Sequence, residues 1–332
     1  METMRSWMCE ELNGEQGLAL SEAPVPVCGP GQILVRNHFT ALNFPDALMI
    51  RGLYQMKVDP PFVPGSELAG EILALGEGVE GFSVGQRVLA LTGVSACSEQ
   101  VLVTPPMQQL HAIPDSMDFK DAAAFNMTYG TSMHALKQRG ALQAGETLLV
   151  LGSAGGCGSA AVQIGKAMGA TVIAGASSEE KCAAAKAMGA DHAVNYREQD
   201  LRESINALTD NQGVDVVYDP VGDSLFDQAI RCVGWNGRYL VVGFAGGNIP
   251  TMRANYTILK SIAMIGVAYG MSAIKDPAMN NENFAQLFSW YQQGKVKPMV
   301  GKCYSVEQFP DAMAELYAGQ AIGKTVIDFA AA

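Results

Sequence analysis

Basic residues are scarce in this chain of 332 residues: 22 Lys+Arg stand against 33 Asp+Glu, a net charge of −11. The isoelectric point falls near 4.8. No basic face remains for a phosphate backbone or an anionic lipid surface, so nucleic-acid and membrane partners are not expected, and any nucleotide must be held locally. Long apolar runs are missing too. The stretch from Met1 to Met8 is no signal-length apolar segment, and runs such as Leu148 to Leu151 are far too short to span a bilayer. A cytoplasmic location is therefore expected. Cysteine is sparse and unpatterned: the seven at positions 9, 28, 97, 157, 182, 232 and 303 never form a C-x-x-C pair. That excludes a disulfide framework and a cysteine-rich structural zinc site, and they read as small buried hydrophobes. What is abundant is apolar residues, 48%, together with 36 Gly and 15 Pro in no regular period. A globular α/β protein of about two domains follows.

The chain changes character near residue 120. Before it, β-rich segments alternate with Gly/Pro turns: Gln32 to Leu42, Glu67 to Leu75 and Arg87 to Leu91, with Pro60-Pro61 and Val63-Pro64-Gly65 between. This predicts a twisted, partly open β-barrel. Asp118 is placed to cap a helix over Phe119 to Phe125, and a second helix is expected from about Gly130 to Arg139. Strands and helices then alternate, from strand Thr147 to Leu151 through helix Cys157 to Met168 to strand Arg238 to Val242. Such alternation predicts βαβ units and a doubly wound parallel sheet. Ile262 to Ala268 reads as another strand, Asn283 to Gln293 as a helix and Thr325 to Asp328 as a last strand. With no linker in sight, the last 65 or so residues are expected to return to the first domain. The expected domains are 1–125 with 266–332, and 126–265.

The turn after strand Thr147 to Leu151 is rich in glycine: Gly152-Ser153-Ala154-Gly155-Gly156-Cys157-Gly158. Glycine permits a tight turn and lets backbone N–H groups approach a pyrophosphate at a helix N-terminus, so this segment is the expected dinucleotide cradle. Ser153 stands where the first glycine of G-x-G-x-x-G belongs. The next strand end decides which nucleotide. A site for NAD has Asp or Glu about 20 residues past the glycines to hold the ribose 2′-OH, whereas here Ala176 and Ser177 occupy that place. Ser177, Lys181 and Tyr196 can donate to a 2′-phosphate, which points to NADPH. Ser177 with Glu180 could equally form a capping box.

Several segments together resemble the zinc-independent quinone oxidoreductase group, typified by zeta-crystallin, of the medium-chain dehydrogenase/reductase family. They are Asn43-Phe44-Pro45-Asp46 with Ile50-Arg51-Gly52-Leu53-Tyr54; Pro64 to Gly70; Gly76 to Val79 with Gly85 to Val88; Ser153 to Gly158; Asn195-Tyr196-Arg197; Asp219 to Gly222; and Val242-Gly243-Phe244. The resemblance implies a chaperonin-10 (GroES)-like β-barrel catalytic domain, built from both chain ends, beside a Rossmann domain with the cofactor in the cleft. It also implies that Asn43, Asp46 and Tyr54 line that cleft, with Asn43 on the cofactor amide or ribose, Asp46 tying the barrel loop, and Thr131 near the nicotinamide. Backbone around Val221, Gly243 and Phe244, at carboxyl strand ends, is expected to contact the ligand. Zinc relatives carry a ligating Cys in the segment that here reads Leu42 to Asp46 and a ligating His where Ser66 stands. No metal is expected, and His38, His111, His134 and His192 form no ligand constellation.

Without a Lewis acid, the expected chemistry is hydride transfer from NADPH to an electron-poor acceptor, a quinone or enone. Tyr54 can donate to an enolate or quinol oxygen, which leaves open an enoyl reductase acting on an alkenal or enoyl thioester. A nucleotide-binding protein without turnover is the third reading. Ile262 to Tyr269 is expected as an exposed sheet edge that pairs with its two-fold mate in a homodimer, or else as an internal strand.

Overall fold

The computed structural model describes residues 2–331, which fold as two compact units. The first takes the chain up to Met127, Ala273–Pro277 and everything from Val300 onward; the second takes Thr128–Ser272 and Ala278–Met299. The C-terminal segment thus returns to the first unit. Residues 278–299, placed with the first domain by sequence, pack with the second.

Along the chain the first unit contributes β1 (Thr3–Cys9), β2 (Leu18–Pro24), β3 (Ile33–Ala41), β4 (Glu67–Leu75), β5 (Arg87–Leu91), β6 (Gln100–Val103) and β7 (Gln109–Ala112). The second contributes β8 (Thr147–Leu151), β9 (Thr171–Ala176), β10 (His192–Asn195), β11 (Val214–Asp219), β12 (Val233–Val241) and β13 (Ala263–Gly266). The chain then re-enters the first with β14 (Val300–Ser305) and β15 (Lys324–Asp328).

In the first unit the seven-stranded sheet runs β14-β15-β3-β4-β5-β7, with β6 branching onto β3. β3 forces the branch: β4 lines one edge along its whole length, while β6 takes Ile33 to Arg36 and β15 takes Phe39 to Ala41 on the other. Period-two alternation sends Ile33 and Val35, Val88 and Ala90, and Val101 and Val103 into one core. A second core gathers Trp7, Leu42, Met49, Phe62, Phe309 and Ile327 around the short helix Phe44–Met49. Asp118 caps Phe119–Ala123 as expected, accepting from the Asp121 N–H.

The second unit is a parallel sheet in the order β10-β9-β8-β11-β12-β13, a doubly wound arrangement whose strand order reverses between β8 and β11. Leu148 to Leu151 are all buried, as a strand covered by helices on both faces requires. The helix expected from Gly130 begins earlier, at Asn126, and runs to Met133 before widening into a π-turn over His134–Arg139. Gly130 is interior to this helix because a Cβ there would stand 2.2 Å from Tyr269 Oη. Close packing, rather than helix termination, selects that glycine.

Candidate functional site

The cradle at the end of β8 has the geometry its glycines suggest. Gly152 sits at φ +57°. A Cβ on Gly158 would stand 2.1 Å from the Gly152 carbonyl oxygen, so only glycine lets helix Gly156–Ala167 start this close to the strand. Gly155 is the helix N-cap and offers no side chain, leaving the first-turn N–H groups for an anion. Ser153 and Ala154 are buried, and Cys157 is half-buried. The Ser153 hydroxyl and N–H both donate to the Gly175 carbonyl, at 3.0 and 3.1 Å. Its side chain therefore pins the turn to β9 instead of facing a ligand. These features fit a dinucleotide pyrophosphate.

At the end of β9, Ala176 is 1% exposed and presents no carboxylate. Ser178, not Ser177, caps helix Glu179–Ala187 by accepting from the Lys181 N–H. Ser177 is thereby released from the capping box; burial raises the Tyr196 phenol pKa, and the neighbouring Ser177 hydroxyl and Arg197 oppose the rise. Burial, then the neighbouring Arg197 guanidinium, holds the Lys181 ammonium below its ordinary pKa. Ser177, Lys181, Tyr196 and Arg197 thus form a donor-rich cluster with two cations. Nothing in the sequence alone marks Arg197 as a member of this cluster beyond its place next to Tyr196.

The carboxyl end of β11 is shaped by Asp219, which is 3% exposed. One of its oxygens accepts from the Val221 and Gly222 N–H groups at 2.8 and 2.9 Å; the other accepts from the Tyr239 hydroxyl at 2.6 Å. Gly243 N–H donates to the Asp219 carbonyl, so the turn carrying Val221 and the one carrying Gly243 and Phe244 are braced together. Thr131 lies on helix Asn126–Met133 and is 9% exposed.

In the first unit, Asn43, Asp46, Ser66, Glu67 and Lys324 form a buried polar cluster. Asn43 Nδ2 donates to Glu67 Oε1 at 2.9 Å and to Ser66 Oγ at 3.1 Å. Asn43 N–H donates to Asp46 Oδ2 at 2.7 Å, the return half of a capping box on helix Phe44–Met49. Burial pushes the Asp46 carboxyl up to about 7, against the opposing pull of the Asn43 N–H, the Ser66 hydroxyl and Lys324. Asn43 and Asp46 are therefore interior groups, 6% and 0% exposed. Tyr54 differs: it is half-buried at the margin of the Phe309 core, between the exposed Leu53 and Met56. Burial, then the charge of Asp46, raises the Tyr54 phenol pKa. Glu67 and Lys324 went unrecognised from sequence; only the burial of two opposite charges announces them.

A branched β-unit joined to a doubly wound sheet with a glycine cradle and a carboxylate-free strand end defines a dinucleotide-binding oxidoreductase fold. The family models agree: residues 29–114 match the alcohol dehydrogenase GroES-like domain and residues 156–290 the domain described as zinc-binding dehydrogenase. The chain is 35% identical to the mouse quinone oxidoreductase-like protein 2, over 97% of this chain and 91% of that protein. It is 32% identical to the Pseudomonas aeruginosa quinone oxidoreductase, over 90% and 91%. Among solved structures, the quinone oxidoreductase from Thermus thermophilus, also solved in complex with NADPH, superposes with a TM-score of 0.84 at 30% identity, covering 98% of this chain and all of that one. The chain belongs to the medium-chain dehydrogenase/reductase family, in its quinone oxidoreductase-like group.

Proposed function

We propose that this protein is a zinc-independent, NADPH-dependent reductase of a quinone or a related electron-poor carbonyl. The observation that carries the reading is the strand end at β9, where buried Ala176 replaces the ribose-binding carboxylate and Ser177, Lys181, Tyr196 and Arg197 cluster. A ribose 2′-phosphate is the anion that such a cluster suits. The pyrophosphate would rest on the N–H groups at Gly156 to Gly158, at the start of the helix, and Val221, Gly243 and Phe244 would supply backbone contacts. Bound NADPH supplies a hydride.

A zinc ion does not suit the first unit's polar cluster. Its donors are an amide, a hydroxyl and two carboxylates, of which Glu67 is already paired with Lys324, and among the described residues no three His, Cys, Asp or Glu side chains converge as a metal site. The site's own residues must then do the polar work. Tyr54, kept protonated by its surroundings, is the group that can donate a hydrogen bond to oxygen charge developing on the acceptor. The exposed Leu53 and Met56 beside it give that acceptor an apolar surface. Asn43 and Asp46 hold the segment in place.

The same phenol supports a second reading, reduction of an alkenal or enoyl thioester, in which Tyr54 protonates the enolate. The chain's acidic balance does not favour binding of coenzyme A phosphates, which favours a small acceptor. The seven cysteines, with no C-x-x-C pair among them, suit the reducing cytoplasm. β13, the last strand of its sheet, suits a two-fold partner, giving a homodimer; a monomeric mass in solution would contradict that. The function is tested by NADPH consumption over a panel of quinones, 2-alkenals and enoyl thioesters.

A further inference from the structure

Lys324 and Glu67 form a buried ion pair that the chemistry above leaves unused. Lys324 Nζ donates to the Leu42 carbonyl, to Asn43 Oδ1 and to Glu67 Oε1, each at 2.7 Å. Three protons meet three oxygens, and the side chains are 5% and 0% exposed. The lysine lies 257 to 282 residues further along the chain than these acceptors.

The arrangement does more than balance charge. Asn43 Oδ1 faces the ammonium while its Nδ2 faces Ser66 and the Glu67 carboxylate. A flipped amide would put its NH2 group against a cation and its carbonyl against an anion, so the ion pair dictates a single orientation. Asn43 in turn donates its N–H to Asp46 and opens helix Phe44–Met49, from which the chain passes to Tyr54. The second Glu67 oxygen accepts from the Met127 N–H at 2.8 Å, in the first turn of the helix that carries Thr131.

We propose that Lys324 is a positioning residue for the acceptor site: its ammonium orients Asn43 and, through Asn43 and Glu67, anchors both the segment presenting Tyr54 and the start of the helix carrying Thr131. This rests on the reading of the Tyr54 segment as the acceptor site. A lysine that merely neutralised Glu67 would be dispensable once Glu67 lost its charge, and that difference is measurable.

The test uses the full-length protein with three readouts: thermal midpoint, NADPH dissociation constant by fluorescence, and kcat on a quinone. Lys324→Met alone strands a buried carboxylate and is expected to fold poorly, so the informative variant is Lys324→Met with Glu67→Gln, which removes both charges. Positioning predicts a thermal midpoint near that of the wild type, an NADPH dissociation constant within about threefold, and kcat lowered by at least about tenfold. Wild-type kcat in the double variant would overturn the proposal. Should the double variant fail to fold, Lys324→Arg decides: it keeps the charge beside Glu67 but not the three-proton geometry, so a kcat lowered by at least about fivefold at an unchanged NADPH dissociation constant supports positioning, and a wild-type kcat overturns it. A wild-type protein that binds NADPH yet reduces no quinone would instead defeat the reading on which the proposal rests, and that result needs no variant.

Discussion

The α-carbon of Gly158 faces the carbonyl oxygen of Gly152 so closely that a Cβ would stand 2.1 Å from it. Gly158→Ala must therefore push the helix start away from β8, at a cost of about 1–3 kcal/mol for overpacking. The displaced N–H groups are those that would hold the pyrophosphate. The expected outcome is a lower thermal midpoint together with at least about tenfold weaker NADPH binding in a fluorescence titration. Unchanged affinity would mean that the cofactor lies elsewhere.

Lys181 should discriminate between the two nicotinamide cofactors. A charge-assisted contact with the 2′-phosphate is worth about 1.5–3 kcal/mol, so Lys181→Ala is expected to raise the NADPH dissociation constant about 10- to 150-fold. NADH binding should hardly move. Equal losses for both would assign Lys181 to the fold. Arg197→Ala should act in the same direction, because both cations belong to one cluster.

Asp46 makes stability depend on pH with an unusual sign for a carboxylate. Burial raises its pKa from 3.8 to about 7 in the folded state, so between these values the folded protein holds a proton that the unfolded chain releases. The advantage of protonated Asp46 is complete below about pH 3.8 and is lost as pH rises through about 7, at up to about 1.4 kcal/mol per pH unit. Asp46→Asn lacks this titration. Denaturant unfolding from pH 5 to pH 8 should show the wild type losing stability relative to the variant, and parallel curves would contradict the burial argument.

Tyr54 separates the two chemistries. An enolate must be protonated, and a positioned general acid is typically worth about 100- to 10,000-fold. A quinone accepts hydride more readily, and its oxyanion can take a proton from water. Tyr54→Phe is therefore expected to cost about tenfold or less on quinones, since it removes one hydrogen bond and keeps the ring. A loss of at least about 100-fold in turnover on the better substrate, with NADPH affinity intact, would favour the enoyl reading.

What was legible in the sequence follows the range of each signal. The parallel sheet, the glycine cradle and the missing carboxylate at Ala176 are local patterns, and β8 lies where its pattern places it, although β12 starts at Val233 rather than Arg238. The Asp118 cap is local as well. The start of the helix at Asn126 was not legible, because Gly130 looks like a boundary until Tyr269, distant in sequence, packs on it. Nor was the allegiance of residues 278–299, where Lys137 and Gln138 reach Asn283 across some 146 and 145 positions. The Lys324 cluster was invisible for the same reason: a lysine in Gly323-Lys324-Thr325 reads as surface until β15 pairs with β3 and carries it inside. Ser177 and Ser178 are indistinguishable as caps by composition, and only the backbone selects between them.

The most direct test of the account is the rate of NADPH oxidation by the purified wild-type protein over ortho- and para-quinones, 2-alkenals and a crotonyl thioester, each with and without a strong metal chelator and repeated with NADH. The account predicts that a quinone gives the highest kcat/KM, that the chelator changes nothing, and that NADPH exceeds NADH by at least about tenfold. Faster turnover of the thioester, loss of activity to the chelator, or tight NADPH binding with no turnover of any acceptor would contradict it.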